Sequence, residues 1–352
     1  MNAASLPLEV EIPFDHRQSA HCESGVISSL LRHQNMPISE PMAFGIAAGL
    51  GFAYLPFIKF GGLPLFAYRM PPGSIIRGLT RRLGIEMHFE TFRQPAAGMQ
   101  ALDQYLSRGR AVGLQTSAFW LSYFPPDMRF HFNAHHLVVY GKRGNHYLIS
   151  DPVIDIRVEC DADSLRKARF TRGVLAPRGL LYYPRYIPPR LDLPRAIRKA
   201  ILYTTGMMLH VPVPILGVRG IRLVSRKIRR LDPREEHYNR LLLGHMVRMQ
   251  EEIGTGGAGF RFLYASFLQE AAGVLGKPGL AVIADELTAV GDAWRRFALH
   301  AAKMCKGRMP LDYGLLADAL LHCAQRERSI YKQLRAEIKQ GPAAFRAPVR
   351  EK

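Results

Sequence analysis

Cysteine is scarce in this chain: four residues in 352, at Cys22, Cys160, Cys305 and Cys323, none in a CxxC pair. Spacings this wide exclude a disulfide scaffold and a zinc ribbon, and no metal site is expected. Uninterrupted apolar runs are missing too. The longest candidates, near Phe44–Phe57 and Ile201–Val218, are broken by Gly and Pro, and the second also carries His210. Neither supplies the roughly 20 apolar residues of a spanning helix. The segment Met1-Asn2-Ala3-Ala4-Ser5-Leu6-Pro7 has neither the basic nor the apolar part of a secretory signal. A reducing, cytoplasmic location is expected. Acidic residues are few, with 29 Asp and Glu against 48 Lys and Arg, a net charge of +19. The imbalance is uneven: 20 basic against 14 acidic residues through Arg185, then 28 against 15. An acidic partner is implied, whether protein, anionic lipid or nucleic acid.

An apolar share of 48% is enough for sizeable cores, and the length favours two domains. Tyr183-Pro184-Arg185-Tyr186-Ile187-Pro188-Pro189-Arg190 is the clearest boundary, because repeated proline interrupts both helix and sheet. The expected domains are therefore 1–187, mixed helix and strand, and 188–352, helical. Within the first, helix is predicted from Arg77 to Leu83 and from Gly98 to Ser107. Strands are predicted near Met87–Phe92, Ala111–Thr116, Asp155–Glu159 and Gly179–Tyr183.

The chemistry points to one stretch, His21-Cys22-Glu23-Ser24-Gly25, where a polar segment meets the helix-like run Val26–Leu31. A cysteine at a helix N-terminus meets unpaired amides and the positive end of the helix dipole, which favour thiolate over thiol. A buried structural thiol is the blander reading. Farther on, Asn133-Ala134-His135-His136-Leu137-Val138-Val139-Tyr140-Gly141 opens a strand with two histidines, and His146–Ser150 forms the next strand, ending in Asp151-Pro152. Lys142-Arg143-Gly144-Asn145 supplies a hairpin turn, so Asp151 returns towards the histidines. Strand alternation lets only one of them face Cys22. His136 is expected to be that residue, with His135 the competitor. The aromatic loop Trp120–Pro126 is a candidate wall for an apolar pocket, or simply core.

A cysteine on an early helix, a later histidine heading an apolar strand, and Asp-Pro closing the next strand resemble the papain-like C39 peptidase arrangement. More narrowly, His21-Cys22-Glu23-Ser24, the run Phe44–Phe52 and Gly254-Thr255-Gly256-Gly257-Ala258-Gly259-Phe260-Arg261 resemble the BtrH family of butirosin biosynthesis. The likeness spans most of the chain, the first half resembling the BtrH N-terminal domain and the second its helical companion of the DUF4872 type. It implies an α+β, papain-like (C39-like) cysteine-enzyme domain followed by an all-α domain. The implied activity is acyl transfer from an acyl carrier protein thioester, with Cys22, His136 and Asp151 as the triad, to a small amine or hydroxyl acceptor.

Gln18 is a weak oxyanion candidate: it is closer to Cys22 than the glutamine of the papain pattern, and His16 stands at the usual offset. Glu23 is a candidate for steering an amine. No bound cofactor is expected. The phosphopantetheine arm of the donor carries a phosphate, for which Thr255, Gly256, Gly257 and Arg261 are candidates, against a plain glycine C-cap and tight turn. The Gly45–Gly51 run is expected to pack closely beneath the active site. Val218–Leu231 reads as a basic amphipathic helix that docks an acidic carrier protein, lies on an anionic membrane at the inner surface of the cell, or packs on its own domain. Nucleic acid ranks lower, with no recognised module. Three function classes stay open: acyltransferase, cysteine peptidase or amidase, and a non-catalytic module that binds a carrier protein or membrane surface.

Overall fold

The computed structural model describes residues 9–253 and 256–340. Its contacts divide the chain into two units, one comprising Met1–Ala43 and Pro71–Leu191, the other Phe44–Met70 and Asp192–Lys352. A single border near residue 187 thus misses an excursion: the chain leaves the first unit inside one short helix, lends a hairpin to the second, and returns at Pro71.

In the first unit, β1 (Val10–Glu11) precedes α1 (Cys22–His33) and α2 (Glu40–Ile46), the helix through which the division passes. Ser39 caps α2, its hydroxyl accepting from the Met42 amide at 3.1 Å. The first ten residues of α1 are buried, and α1 packs on the sheet and on a neighbouring helix. Val26, Ile27, Leu30 and Leu31 line its core side at 1% exposure or less. Each contributes about 2 kcal/mol by leaving water.

After the hairpin excursion, β2 (Leu50–Phe60) and β3 (Leu63–Arg69), the first unit resumes with α3 (Ser74–Leu83), β4 (Glu86–Glu90), α4 (Pro95–Ser107) and β5 (Val112–Thr116). Two 3-10 turns, Ala118–Trp120 and Pro126–Met128, carry the aromatic loop to β6 (His135–Arg143). β7 (His146–Ser150), β8 (Val158–Asp161), α5 (Ala162–Phe170) and β9 (Leu181–Tyr186) complete the unit. Its sheet is antiparallel throughout, in the order β4-β9-β5-β6-β7-β8, with β1 also paired to β6. The β6–β7 hairpin sets Val138 opposite Ser150, so Asp151 emerges level with the start of β6. That register is what positions the site.

The second unit is helical around the β2–β3 hairpin: α6 (Leu193–His210), α7 (Gly217–Arg229), α8 (Glu236–Glu251), α9 (Arg261–Leu275), α10 (Gly279–Cys305) and α11 (Tyr313–Lys339). The glycine run serves this unit. A Cβ on Gly45 would lie 1.9 Å from the Phe267 ring, so only glycine fits there. Phe44 stacks on Phe260 at 5.0 Å, and Phe52 and Tyr68 pack against Trp294. α7 is amphipathic, and Val218, Ile221, Val224 and Ile228 are buried against α11 and β2. Its apolar stripe is therefore already covered by its own unit, which rules out a membrane or a partner helix meeting α7 through that stripe.

Candidate active site

Cys22 is the first residue of α1, and His21 caps the helix, its Nδ1 accepting from the Ser24 amide at 3.4 Å. The half-buried carboxylate of Glu40 shapes the approach: it accepts from the amides of Ala20 and His21, both at 2.8 Å, and from the Ser24 hydroxyl at 2.9 Å. Burial pushes the Glu40 carboxyl above its usual range, against the pull of those donors. Two further ties join this segment to the end of β7. The Ser19 amide donates to the Pro152 carbonyl at 2.7 Å, and His16 pairs with the Ser150 hydroxyl at 2.8 Å. One backbone tie and one side-chain tie thereby join the segment before Cys22 to the residues on either side of Asp151.

The histidine between them is His135. Its Nε2 lies 2.7 Å from Asp151 Oδ2, and the Cys22 side chain, whose sulfur lies 4.0 Å from the neighbouring Ala134 carbonyl, is near enough to favour the charged ring. Burial opposes charge on this ring, yet the Asp151 carboxylate and the Cys22 sulfur outweigh it, and the His135 pKa rises to about 10. Asp151 is fully buried. Its Oδ2 also accepts from the Tyr123 hydroxyl at 2.6 Å, and Oδ1 from the Val153 amide at 3.1 Å. The Phe124 ring meets His135 edge-on, with centroids 5.3 Å apart.

His136, expected in the triad, faces the other way. Its Nδ1 pairs with the Tyr182 hydroxyl at 2.8 Å, as strand alternation demands once His135 points at Cys22. The sequence offers no phase for that choice, because β6 is buried on both faces from His135 to Gly141. Glu23 is also displaced from its expected part. Its carboxylate accepts from the amides of Gly73, Ile75 and Ile76 at 3.1, 2.9 and 3.1 Å, capping the start of α3. Committed to three amides, it is not placed to steer an amine. Gln18 is exposed, and His16 is engaged with Ser150. Tyr123 and Tyr182 were missed as site residues. The first lay inside the aromatic loop, but nothing in that run marks which hydroxyl returns to Asp151.

Arg261, the cation of the candidate phosphate seat, is engaged elsewhere. Gly254 and Thr255 lie outside the described residues. Arg261 is fully buried, its Nε and Nη2 donating to Glu327 at 2.9 and 3.1 Å and its Nη1 to the Gly259 carbonyl at 2.7 Å. Trp294 and Tyr331 donate to the same carboxylate. Beside exposed Gly256 and buried Gly257, the Ala258 amide already donates to Glu251. Arg261 and the Ala258 amide are spent within the helical unit. Among the described residues no group of three or more His, Cys, Asp or Glu is placed to hold a metal ion, and all four cysteines are free thiols.

Residues 21–152 match the family described as butirosin biosynthesis protein H, N-terminal, and residues 163–334 match a domain of unknown function, DUF4872. The chain thus carries a BtrH N-terminal-type domain followed by a DUF4872 domain. The BtrH N-terminal match spans Cys22, His135 and Asp151, and it makes the first unit a cysteine-enzyme-like domain. No curated protein matches the chain. Among solved structures, a putative C39-like peptidase from Bacillus anthracis is similar to it at 15% identity and a TM-score of 0.36, over 51% of this chain and 99% of that one. No described helix of this BtrH-like chain is long and apolar enough to cross a membrane.

Proposed function

We propose that this chain is a cysteine-dependent acyltransferase that takes an acyl group from an acyl carrier protein thioester onto Cys22 and passes it to a small amine or hydroxyl acceptor. The observation that carries the reading is the convergence of Cys22, His135 and Asp151, with Tyr123 behind the carboxylate. The BtrH N-terminal match supports a cysteine-enzyme-like domain, and the thioester donor is what resemblance to that family implies.

In the first half-reaction the Cys22 sulfur attacks the thioester carbonyl with its proton already held by the His135 ring. The Cys22 amide, at the first helical position and so without an intrahelical acceptor, is suited to receive the oxyanion. The carbonyl–sulfur bond to the donor breaks, and His135 returns the proton to the departing phosphopantetheine thiol. In the second half His135 takes a proton from the acceptor, the acceptor attacks the acyl-enzyme, and Cys22 leaves as a thiolate. Asp151 keeps the ring in one tautomer throughout and stabilises its charged form. Water in place of the acceptor gives a hydrolase, the second reading, from the same first step.

Intact-mass analysis separates the two. After mixing with acylated carrier protein, the chain gains one acyl mass at Cys22, and an added amine acceptor carries it away as the amide. Loss of the adduct to water at the same rate with and without acceptor overturns transfer in favour of hydrolysis. Absence of an adduct overturns both.

A further inference from the structure

In the second unit the β2–β3 ladder is regular from Ala53 to Leu55 and then slips. Leu55 pairs with Leu65, but the next pair is Lys59 with Pro64, so Pro56, Phe57 and Ile58 leave the ladder as a bulge. A bulge re-aims side chains, and here Phe57 and Ile58 stand 71% and 44% exposed, followed by exposed Lys59 and the turn at Gly61-Gly62. Large apolar side chains at the end of a hairpin gain nothing for the fold.

They also do not stand alone. Within the same hairpin Tyr54 packs on Phe66, and Phe66 and Phe60 both meet His245 of α8, at 6.2 and 6.1 Å between centroids. One and two turns before His245, α8 presents Leu241 and Tyr238, 50% and 44% exposed, and Tyr238 is close enough to Tyr54 to influence its ionisation. Lys227 of α7 lies over the Tyr54 ring at 5.7 Å. Phe57 and Ile58 thus stand on the hairpin that packs against the helices carrying Leu241, Tyr238 and Lys227.

Its surround is cationic. Residues 54–60 and 217–241 hold nine Lys or Arg (Lys59 and eight from Arg219 to Arg240) against three acidic residues, Asp232, Glu235 and Glu236. Two of those three are neutralised locally, Asp232 by Arg234 and Glu236 by Arg240. Arg226, Lys227 and Arg230 remain exposed, and Arg229 is held by Asp318.

We infer that this face of the second unit is a docking surface for an anionic lipid bilayer, with Phe57 and Ile58 entering between headgroups and the basic residues of α7 and the β2–β3 tip meeting their phosphates. An apolar point rimmed by Lys and Arg suits a fluid, negatively charged interface, where each basic group and each inserted side chain adds separately. An acidic protein partner would share the charge but calls for a shaped apolar seat. On this face the apolar groups are instead raised on a bulge. The inference does not depend on the chemistry proposed for Cys22.

The test is sedimentation of the full chain with vesicles of phosphatidylcholine, alone or mixed with phosphatidylglycerol. Binding is expected only to the mixed vesicles and is expected to weaken as salt is raised. Replacing Phe57→Ser together with Ile58→Ser is expected to lower vesicle affinity on the order of tenfold, and Arg226→Gln together with Arg230→Gln by a similar factor. Both pairs are exposed, so the thermal midpoint should stay at the wild-type value. Equal binding to both kinds of vesicle, no binding to either, or unchanged partition of the Phe57/Ile58 variant overturns the inference. A Phe57/Ile58 variant that loses an acidic carrier protein while keeping its vesicle affinity also overturns it, and assigns the face to a protein.

Discussion

Each unit of this molecule buries one carboxylate beside a cationic partner, and the two are used differently. Glu327 receives donors from Arg261, Trp294 and Tyr331, and the guanidinium of Arg261 is itself consumed by Glu327 and the Gly259 carbonyl. Asp151 receives Tyr123, the Val153 amide and His135, but the partner it holds is an imidazole whose charge the neighbouring Cys22 side chain also favours. A permanently charged guanidinium with its donors spent ties helices together. A ring that gains and releases protons beside a nucleophile is equipped for chemistry.

The sharpest break between the two centres is at Cys22. Cys22→Ala is expected to abolish the acyl adduct, a loss of roughly 10^4-fold or more in turnover, while urea unfolding stays near wild type. An adduct of undiminished yield in this variant would place the nucleophile elsewhere. Glu327→Gln should do the converse. It strands a buried guanidinium and costs about 3–5 kcal/mol of stability, with the acylation rate of the folded fraction unchanged. A midpoint equal to wild type would show that the Arg261 network carries no such weight.

The pH dependence separates the centres next. Because the folded-state pKa of His135 is raised to about 10 from an ordinary 6.5, its stabilising pair is fully present below about 6.5 and is lost as pH rises through about 10. The stability difference between wild type and His135→Gln should therefore be widest in neutral and mildly acidic solution and shrink on the alkaline side, as read from urea midpoints across that range. A difference that is flat or grows with pH would remove the charged pair from the account. The smallest expected effect belongs to Tyr123→Phe, which removes one hydrogen bond to a charged group. Turnover should fall by about tenfold with KM little changed, because Asp151 holds the ring less firmly. A change confined to KM would make Tyr123 a contact for substrate instead.

Much of this is legible in the sequence. The cysteine at a helix start, the turn at Lys142–Asn145 and the Asp-Pro after β7 are local signals, and they bring Asp151 back to the paired histidines. What could not be read is what depends on tertiary partners. The phase of β6 has no polar and apolar alternation to betray it, so His135 and His136 were interchangeable on pattern alone. The Phe44–Met70 excursion reads in sequence only as an apolar run broken by glycine, expected beneath the active site, because its membership of the helical unit is decided by Phe267, Trp294 and Phe260, more than two hundred positions away. Arg261 beside a glycine cluster suggests an anion, but Glu327 lies 66 residues downstream and supplies that anion from within the fold.

The central claim is that His135, and not its neighbour, works on the Cys22 sulfur. It is tested most directly by the rate at which iodoacetamide alkylates Cys22 at neutral pH, followed by intact mass in wild type, His135→Gln and His136→Gln. Alkylation should slow on the order of tenfold or more in His135→Gln and remain close to wild type in His136→Gln. Slowing in His136→Gln with His135→Gln unaffected would contradict the account.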